Sequence, residues 1–332
     1  MGHDRRSIQT CQNVFIKYGR GELMEYVSAI NELSYKNSCV TMGKFDGMHR
    51  GHQLLFSELY KSEAKGLLSV VLTFDTPPAD LFSGKVSSQI YTEEEKRYFL
   101  EKKGMDVMVC FPFTKETAAI EPEDFIRDIL VKKLGAKKLV VGADFGFGKG
   151  RRGNVELLSS LKEKYGYELI VVPKLKDGDD IISSTLIREK LKEGNIEYAN
   201  RLLGMPYRIR GVVEHGMQLG RKIGMPTLNV IPHSKKLLPP NGVYVTITYV
   251  DNIPYYGVTN IGCKPTVTSN GERMAESHLF NFDREIYGAL VETEFFTYER
   301  PECKFASVAE LSERMYKDME YAKEYFRKIN RI

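Results

Sequence analysis

Short apolar runs alternate with amphipathic segments along the first half of the chain, from residue 38 to about residue 172. The apolar runs are rich in Val and short enough to be buried strands, and they lie at residues 39–43, 68–74, 106–111, 138–142 and 168–172. The segments between them carry apolar side chains at helical spacing and lie at residues 52–65, 93–103, 121–134 and 154–165. This alternation predicts an α/β domain in which helices cover a parallel sheet.

The pattern changes in the second half of the chain. Between residues 207 and 296 the helical period disappears, and Gly, Pro and Asn separate β-rich stretches. These stretches lie at residues 207–213, 226–231, 242–250, 255–262, 278–282 and 289–296. Their spacing predicts a small antiparallel β-barrel. A last amphipathic segment, residues 307–332, predicts a C-terminal helix that packs against the barrel.

The change of pattern predicts two domains joined by a linker. We expect the α/β domain to span residues 14–186, the linker residues 187–205, and the barrel domain residues 206–332. A helix capped by Ser183 or Ser184 and ended by Gly194 is expected at this junction.

Amino-acid composition limits the kinds of molecule that this protein is expected to bind. Of the 332 residues, 42% are apolar and 28% are charged, which is typical of a globular protein, and the net charge is only +4. Because basic and acidic residues are interleaved, we expect small-molecule substrates, with neither nucleic acid nor membrane as a partner, and a homo-oligomer remains open. Five scattered cysteines and an N-terminus without an apolar stretch favour a cytoplasmic location.

The first candidate site is the segment GKFDGMHRGHQ, residues 43–53, which leaves the first predicted strand and begins a helix. Open α/β sheets bind ligands at this position, and glycines there let backbone amides approach a phosphate. His49 and His52 would lie near the helix start, where imidazoles can stabilise charge on a phosphoryl group in transfer. The alternatives are a chance pair of histidines and a zinc site, although no third His or Cys lies nearby.

Two later segments are candidates for nucleotide binding. Asp144 would lie at a strand end, in the Gly- and Arg-rich segment 140–153, which suits a flexible cationic lid. The segment ISSTLIR offers the hydroxyls of Ser184 and Thr185 at a helix start, with Arg188 one turn later. An ordinary solvated loop and a plain capped helix are the respective alternatives.

The barrel half begins with a second candidate for phosphate binding. A basic segment interrupted by glycines could bind a phosphate through its backbone amides and its positive charge. The candidate residues in this segment are Gly216, Gly220, Arg221 and Gly224. The segment is not a Walker loop, because GxxxxGK followed by Ser or Thr is absent.

Three polar residues on predicted strands suggest a site for phosphoryl transfer. Thr227 and Asn229 alternate on a strand and project to one face, where their oxygens could hold a magnesium ion already bound to ATP. Glu276 adjoins another strand and could accept the proton of an attacking hydroxyl. The start of a strand and a solvated carboxylate are the plainer interpretations of these residues.

Taken together, these motifs resemble a known family. GxFDGxHxGH, VGxDFxFG and ISSTxIR, in this order, are similar to the adenylyltransferase domain of bacterial FAD synthetases. GxxxGRxxGxPTxN, NIGxxPT, ExHLxxF and RPExKF, from about residue 204 to 320, are similar to bacterial riboflavin kinases. The resemblance to this bifunctional family implies a Rossmann-like nucleotidyltransferase domain followed by a kinase barrel.

The resemblance also implies what the two domains do and which residues do it. The barrel would use ATP and Mg²⁺ to phosphorylate riboflavin to FMN, with Glu276 as the base and Thr227 and Asn229 holding the metal and nucleotide. The α/β domain would join FMN and ATP into FAD, with His49 and His52 stabilising the transition state. The implied binding residues are Gly43, Phe45, Asp46, Asp144, Ser184, Thr185, Arg188, Gly216, Gly220, Arg221, Gly224, Thr227, Asn229 and, on the flavin side, Arg300.

The chain departs from the family pattern in two places. TFxPHP after the second strand is here TFDTPP, with Thr76 and Pro77 in a segment expected to border FMN. Met225 replaces a Phe and should preserve apolar packing. Because of the first departure, one alternative is that the chain is a riboflavin kinase whose adenylyltransferase domain is impaired. A non-catalytic flavin-binding regulator is a further alternative, but joint retention of both sets of catalytic residues argues against it.

Overall fold

The computed structural model describes residues 14–16, 24–28, 33–63, 65–75, 78–84, 86–216, 224–263 and 273–331. The chain divides into two compact units. The first comprises Met1–Ser87 and Glu93–Ile181, and the second comprises Ser88–Thr92 and Ile182–Ile332. The second unit therefore includes a short segment from the first half of the sequence, which no sequence pattern had indicated.

A seven-stranded sheet forms the centre of the first unit. In spatial order its strands are β1 (Val14–Ile16), β2 (Met24–Val27), β5 (Val107–Phe111), β4 (Leu68–Phe74), β3 (Ser38–Met42), β6 (Ala136–Gly142) and β7 (Glu168–Val172). Neighbours pair in parallel, except that β1 is antiparallel to β2. The five predicted strands are confirmed to within two residues at each end, and β1 and β2 were missed.

The sheet is buried because its central strands carry apolar side chains on both faces. Val70, Leu72 and Val109 on one face, and Val71 and Met108 on the other, have no exposed surface. Helices cover the sheet: α1 (Arg50–Glu63), α2 (Pro78–Ser83), α3 (Glu93–Lys102), α4 (Lys115–Ala118), α5 (Pro122–Asp124) with its π-helical continuation Phe125–Lys133, and α6 (Val155–Tyr165). A small hairpin, β8 (Lys176–Asp177) and β9 (Asp180–Ile181), ends the unit. The four predicted helices are confirmed.

The second unit begins with two helices, α7 (Ser184–Lys192) and α8 (Ile196–Leu203). Ser183 caps α7 by accepting a hydrogen bond from the amide of Leu186, so of the two predicted caps the earlier one is used. The segment 187–205, expected to be a linker, is largely helical. Asn195 caps α8, and Gly204 ends it in the left-handed conformation at φ 75°.

A closed antiparallel barrel forms the body of the second unit. Its strands are β10 (Tyr207–Glu214), β11 (Thr227–Val230), β12 (Gly242–Val250), β13 (Ile253–Cys263), β14 (Arg273–Leu279) and β15 (Leu290–Arg300). Around the barrel they follow the order β10, β11, β14, β13, β12, β15. A long helix, α9 (Val308–Lys328), follows the last strand. The predicted barrel and terminal helix are confirmed.

The two faces of the barrel wall are distinguished by their packing. Val245 and Val258 pack with Phe326 of α9, so this face points outward. Thr246, Thr259 and Ser277 lie on the other face and form a buried ladder of hydroxyl hydrogen bonds of 2.7 and 2.8 Å. Because alternate side chains point to opposite faces, the strand register decides which polar residues are available on the outside.

Candidate active sites

The first candidate site is built on the loop between β3 and α1. Three residues with positive φ bend this loop sharply, with φ of 48° at Phe45, 84° at Gly47 and 48° at Met48. Non-glycine residues rarely adopt positive φ, so Phe45 and Met48 store backbone strain that the surrounding structure must hold. Phe45, Asp46 and Met48 are all buried. The loop ends where α1 begins, and it delivers His49 to the helix start.

His49 and His52 form a stacked pair. Their ring centroids are 3.6 Å apart and the planes differ by 18°. The backbone amide of His52 donates to Nδ1 of His49 over 3.3 Å, so the neutral His49 ring carries its hydrogen on Nε2. The edge of the pair meets Phe45, whose ring centroid lies 5.3 Å from that of His52.

Both imidazoles are neutral near pH 7. Burial lowers the pKa of His49 to about 4. Burial also holds the pKa of His52 well below its ordinary value, and the neighbouring His49 and Lys96 lower it further. Each ring therefore offers an N–H group as a neutral donor, and Nδ1 of His52 is buried without a hydrogen-bond partner.

Lys96 was missed by the sequence analysis. It lies on α3 with 5% of its surface exposed, and its Nζ donates to the carbonyl oxygen of Lys44 over 3.3 Å. In the sequence it is one charged residue in the highly charged segment EEEKRYFLEK. No spacing marks it, because its burial follows from the way that α3 packs.

The remaining nucleotide candidates are spread over both units. Asp144 follows β6 in the first unit, where its largely exposed carboxylate pairs with Lys174 over 3.0 Å. Arg152 in the same loop pairs with Glu121. Ser184, Thr185 and Arg188 belong to α7 of the second unit, with Ser184 as the first helical residue and Thr185 exposed.

The second candidate site lies on the outer face of the barrel. The register pairs Asn229 with Glu276, and it places Thr227, His278 and Val258 side by side on the face that Val258 shares with α9. Thr227 donates its hydroxyl to Oε1 of Glu276 over 2.7 Å. The structure therefore brings together the three residues that the sequence singled out as base and metal-holding pair.

Gly216 shapes this second site from the adjoining loop. A Cβ on Gly216 would come within 2.1 Å of Nδ2 of Asn229, closer than any real contact, so the backbone lies directly against this side chain. Gly224 adopts φ 74° just before β11. Gly220 and Arg221 fall outside the described residues, as do Thr76 and Pro77 of the departing flavin-side segment.

A pocket opens beside the Thr227 and Asn229 side chains. It is lined by Pro226, Thr227, Asn229, Phe282, Arg284 and Tyr287, among others. His215, adjacent to Gly216, stacks on Tyr287 with ring centroids 3.8 Å apart. His278 fixes the start of β11, because its Nδ1–H donates to the carbonyl oxygen of Pro226 over 2.9 Å. His215 was not singled out from the sequence.

The side chain of Arg300 contacts the terminal helix. Its guanidinium binds both carboxylate oxygens of Asp318 on α9, and its Nη1 lies 3.3 Å from the sulfur of Cys303. Arg314 joins the same cluster and pairs with Asp318 and Glu299. The described contacts of Arg300 thus hold the end of β15 to the terminal helix, and none of them reaches Thr227 or Glu276.

These two sites are typical of enzymes that transfer phosphoryl or nucleotidyl groups. One places neutral imidazole donors at the carboxyl end of a parallel strand, and the other pairs a carboxylate with hydroxyl and amide oxygens beside a pocket. A family model described as FAD synthetase matches residues 32–186, and a model described as riboflavin kinase matches residues 203–326.

Similarity to named proteins extends over nearly the whole chain. The bifunctional riboflavin kinase/FMN adenylyltransferase of Buchnera aphidicola subsp. Schizaphis graminum is 38% identical, and the match covers 92% of this chain and 100% of that protein. The protein of the same name from Escherichia coli K12 is 37% identical, with coverage of 91% and 98%. The chain belongs to the family of bifunctional riboflavin kinase/FMN adenylyltransferases.

One solved structure is similar over both units. A Streptococcus pneumoniae protein named a macrolide-efflux protein has a TM-score of 0.78 and 29% identity, and the match covers 90% of this chain and 98% of that one. In the part of the chain that the structure describes, no helix is long and apolar enough to cross a bilayer.

Proposed function

We propose that the barrel unit phosphorylates riboflavin to FMN and that the α/β unit adenylylates FMN to FAD, with ATP as the second substrate of both steps. The observation that carries this proposal is the hydrogen bond of 2.7 Å between Thr227 and Glu276, with Asn229 beside them, on one face of a barrel that matches riboflavin kinases. The stacked histidines of the FAD synthetase half support the second step.

In the first step Glu276 is the general base. The 5′-oxygen of riboflavin forms a bond to the γ-phosphorus of ATP, ADP leaves, and Glu276 accepts the hydroxyl proton. Thr227 orients the carboxylate through its hydroxyl, and His278 fixes the carbonyl that precedes Thr227. The pocket lined by Arg284 and Tyr287 adjoins these groups and is the site proposed for the nucleotide.

Magnesium would enter this site together with ATP. The hydroxyl of Thr227 and the side-chain oxygen of Asn229 are hard oxygen donors that fit Mg²⁺, and the carboxylate of Glu276 beside them serves as the base. Gly216 holds Asn229 by close approach, which leaves little freedom to its amide. Bound there, Mg²⁺ would neutralise phosphate charge. The residues proposed for phosphate contact in the same segment are Gly216, Gly220, Arg221 and Gly224.

In the second step the histidine pair stabilises charge. A phosphate oxygen of FMN attacks the α-phosphorus of ATP, and pyrophosphate leaves. Nε2–H of His49 would donate to the phosphoryl oxygens, and the amides of the strained loop would add further donors. Asp144, Ser184, Thr185 and Arg188 are proposed to bind the nucleotide, and Gly43, Phe45 and Asp46 to shape the loop.

Aromatic side chains support flavin binding at the same edge of the sheet. Phe74 ends β4, Phe113 follows β5, and their rings meet edge to face with centroids 5.3 Å apart. Phe82 on α2 meets Phe113 in the same manner and leaves 71% of its surface exposed. An exposed Phe beside a phosphate site is suited to stacking on a flat apolar ring such as isoalloxazine.

A direct assay tests both activities. The purified chain is incubated with riboflavin, ATP and Mg²⁺, and the flavins are separated by chromatography. FMN should appear first and FAD afterwards. FMN without FAD would indicate that the adenylyltransferase half is impaired, and the absence of both products would refute the proposal.

A further inference from the structure

Lys96 is a buried cation next to the histidine pair. It lies on α3, only 5% of its surface is exposed, and its charge acts on His52. A lysine is almost never buried to this extent without a specific partner, because an ammonium loses its hydration there. Its position beside a phosphate-transfer site therefore indicates a role in that site.

The hydrogen bond of Lys96 anchors the strained loop. The carbonyl oxygen of Lys44 accepts from Nζ of Lys96 and from Oγ1 of Thr73, each over 3.3 Å. The next residue, Phe45, is the first of the three with positive φ. Non-glycine residues in such conformations are strained and persist only where their surroundings hold them. Lys96 thus ties the loop to α3 immediately before its strained part.

The charge of Lys96 also acts on His52, where it adds to the larger effect of burial in lowering the pKa. The charged or titratable groups that act on His52 are His49, from its own segment, and Lys96, from α3. A proton on His52 would place a second positive charge near the buried ammonium, which is unfavourable in a site of low dielectric. The same ammonium would attract the phosphates of an incoming nucleotide.

We propose that Lys96 is a positioning residue for adenylyl transfer, which holds the Gly43–Met48 loop through the carbonyl oxygen of Lys44 and places its ammonium group beside His52. This inference rests on the proposed function of the first unit. It extends that function to a side chain on a helix that none of the sequence motifs includes.

The test compares Lys96→Met with Lys102→Met. Both remove one positive charge from α3, but Lys102 is exposed and packs over the ring of Tyr98 at 4.4 Å. The pKa of His52 is measured by NMR titration in the full chain, with its signal assigned by its loss in His52→Asn. The turnover number for FAD formation from FMN and ATP is measured alongside, with riboflavin phosphorylation as the internal control.

Lys96→Met should raise the pKa of His52 and lower the turnover number for FAD by roughly ten- to a hundred-fold, the effect of a displaced catalytic group. Riboflavin phosphorylation and Lys102→Met should match the unaltered chain. Lys96→Arg keeps the charge and should keep the pKa of His52 low.

Three results would overturn the inference. They are an unchanged pKa of His52 in Lys96→Met, an unchanged rate of FAD formation in that variant, and equal losses in Lys102→Met. If the unaltered chain forms no FAD from FMN, the proposed function fails instead. The NMR comparison would still decide whether Lys96 controls the protonation of His52.

Discussion

The side chains proposed for catalysis are held in position by hydrogen bonds from particular neighbouring residues. Glu276 receives the hydroxyl of Thr227, and His49 receives the backbone amide of His52. Both contacts orient a functional group, and the contact to His49 also fixes its hydrogen on Nε2. Single substitutions should therefore separate the two reactions.

Replacing His49 by Ala should abolish FAD formation and spare FMN formation. The variant loses the Nε2–H donor, and removal of one such donor typically costs about a hundred- to a thousand-fold in rate. Flavin chromatography with riboflavin as substrate should show FMN accumulating. If both activities fell together, the assignment of two separate sites would be wrong.

Replacing Glu276 by Gln should have the opposite effect. Gln keeps the size and the hydrogen bond from Thr227 but cannot accept a proton, so FMN formation should fall by roughly a hundred- to ten-thousand-fold. FAD formation from added FMN should persist and serves as the control. Undiminished phosphorylation of riboflavin would exclude Glu276 as the base.

At the scale of secondary-structure elements, the sequence predicted those strands and helices that follow from the local pattern of apolar residues. The five central strands are continuous Val-rich runs because both faces of the sheet are covered, and such runs are visible without a structure. β1 and β2 are short strands that were missed: β1 forms one edge of the sheet by pairing with β2, and β2 joins the sheet by pairing with β5, which is distant in sequence. The helix α8 occupies what was expected to be a linker.

The candidate sites were predictable to a similar extent. Thr227 and Asn229 were placed on one face by strand periodicity, but their closeness to Glu276 depends on the register of β11 and β14. Lys96 and His215 could not be predicted from the sequence because packing alone brings them to the sites. The flavin-side position of Arg300 stays a prediction from its motif, and in the structure its guanidinium donates to Asp318 on α9.

The loop that carries Gly216 should tolerate no side chain at that position. In Gly216→Ala the new Cβ would overlap the amide of Asn229, which lies within 2.1 Å of it, and would displace the metal-holding oxygen. Displacement of about 1 Å can cost a hundred-fold in rate, so FMN formation should fall to about that extent. FAD formation from FMN should be unchanged, and equal kinase activity in the variant would contradict the proposed role of Asn229.

The cluster that joins β15 to α9 should make stability depend on pH. Burial and the neighbouring Asp318 raise the pKa of Glu299 to about 7. Because this value lies above that of the unfolded chain, the contribution of Glu299 is complete below about pH 4.5 and is lost as pH rises through 7. Thermal unfolding of Glu299→Gln should therefore show a smaller loss of stability between pH 5 and 8 than the unaltered chain. Parallel pH profiles would contradict this assignment.

At the scale of the whole molecule, the product of one unit is the substrate of the other. Conversion of riboflavin to FAD consumes two molecules of ATP, one yielding ADP and the other pyrophosphate. The two activities correspond to two family models that match different parts of the chain, residues 32–186 and residues 203–326. The ratio of ADP to pyrophosphate therefore reports the balance between the two units.

This ratio gives a test that does not depend on flavin detection. With riboflavin in limiting amount, the unaltered chain should release ADP and pyrophosphate in equal final amounts. His49→Ala should release ADP with almost no pyrophosphate, because its reaction stops at FMN. Pyrophosphate release from that variant at the unaltered rate would contradict the proposed role of the histidine pair.

The segment Ser88–Thr92 belongs to the second unit although it is encoded within the first half of the chain, so the second unit is not encoded by one continuous stretch of the gene. Gln89 exchanges backbone hydrogen bonds with Lys235 and Leu237, and Lys236 donates to the carbonyl oxygen of Ile90 while lying over the ring of Tyr91. A gene fragment that encodes only residues 182–332 would lack these partners and leave the buried ammonium of Lys236 without that acceptor. A kinase half that is inherited or transplanted alone would need a substitute for these five residues.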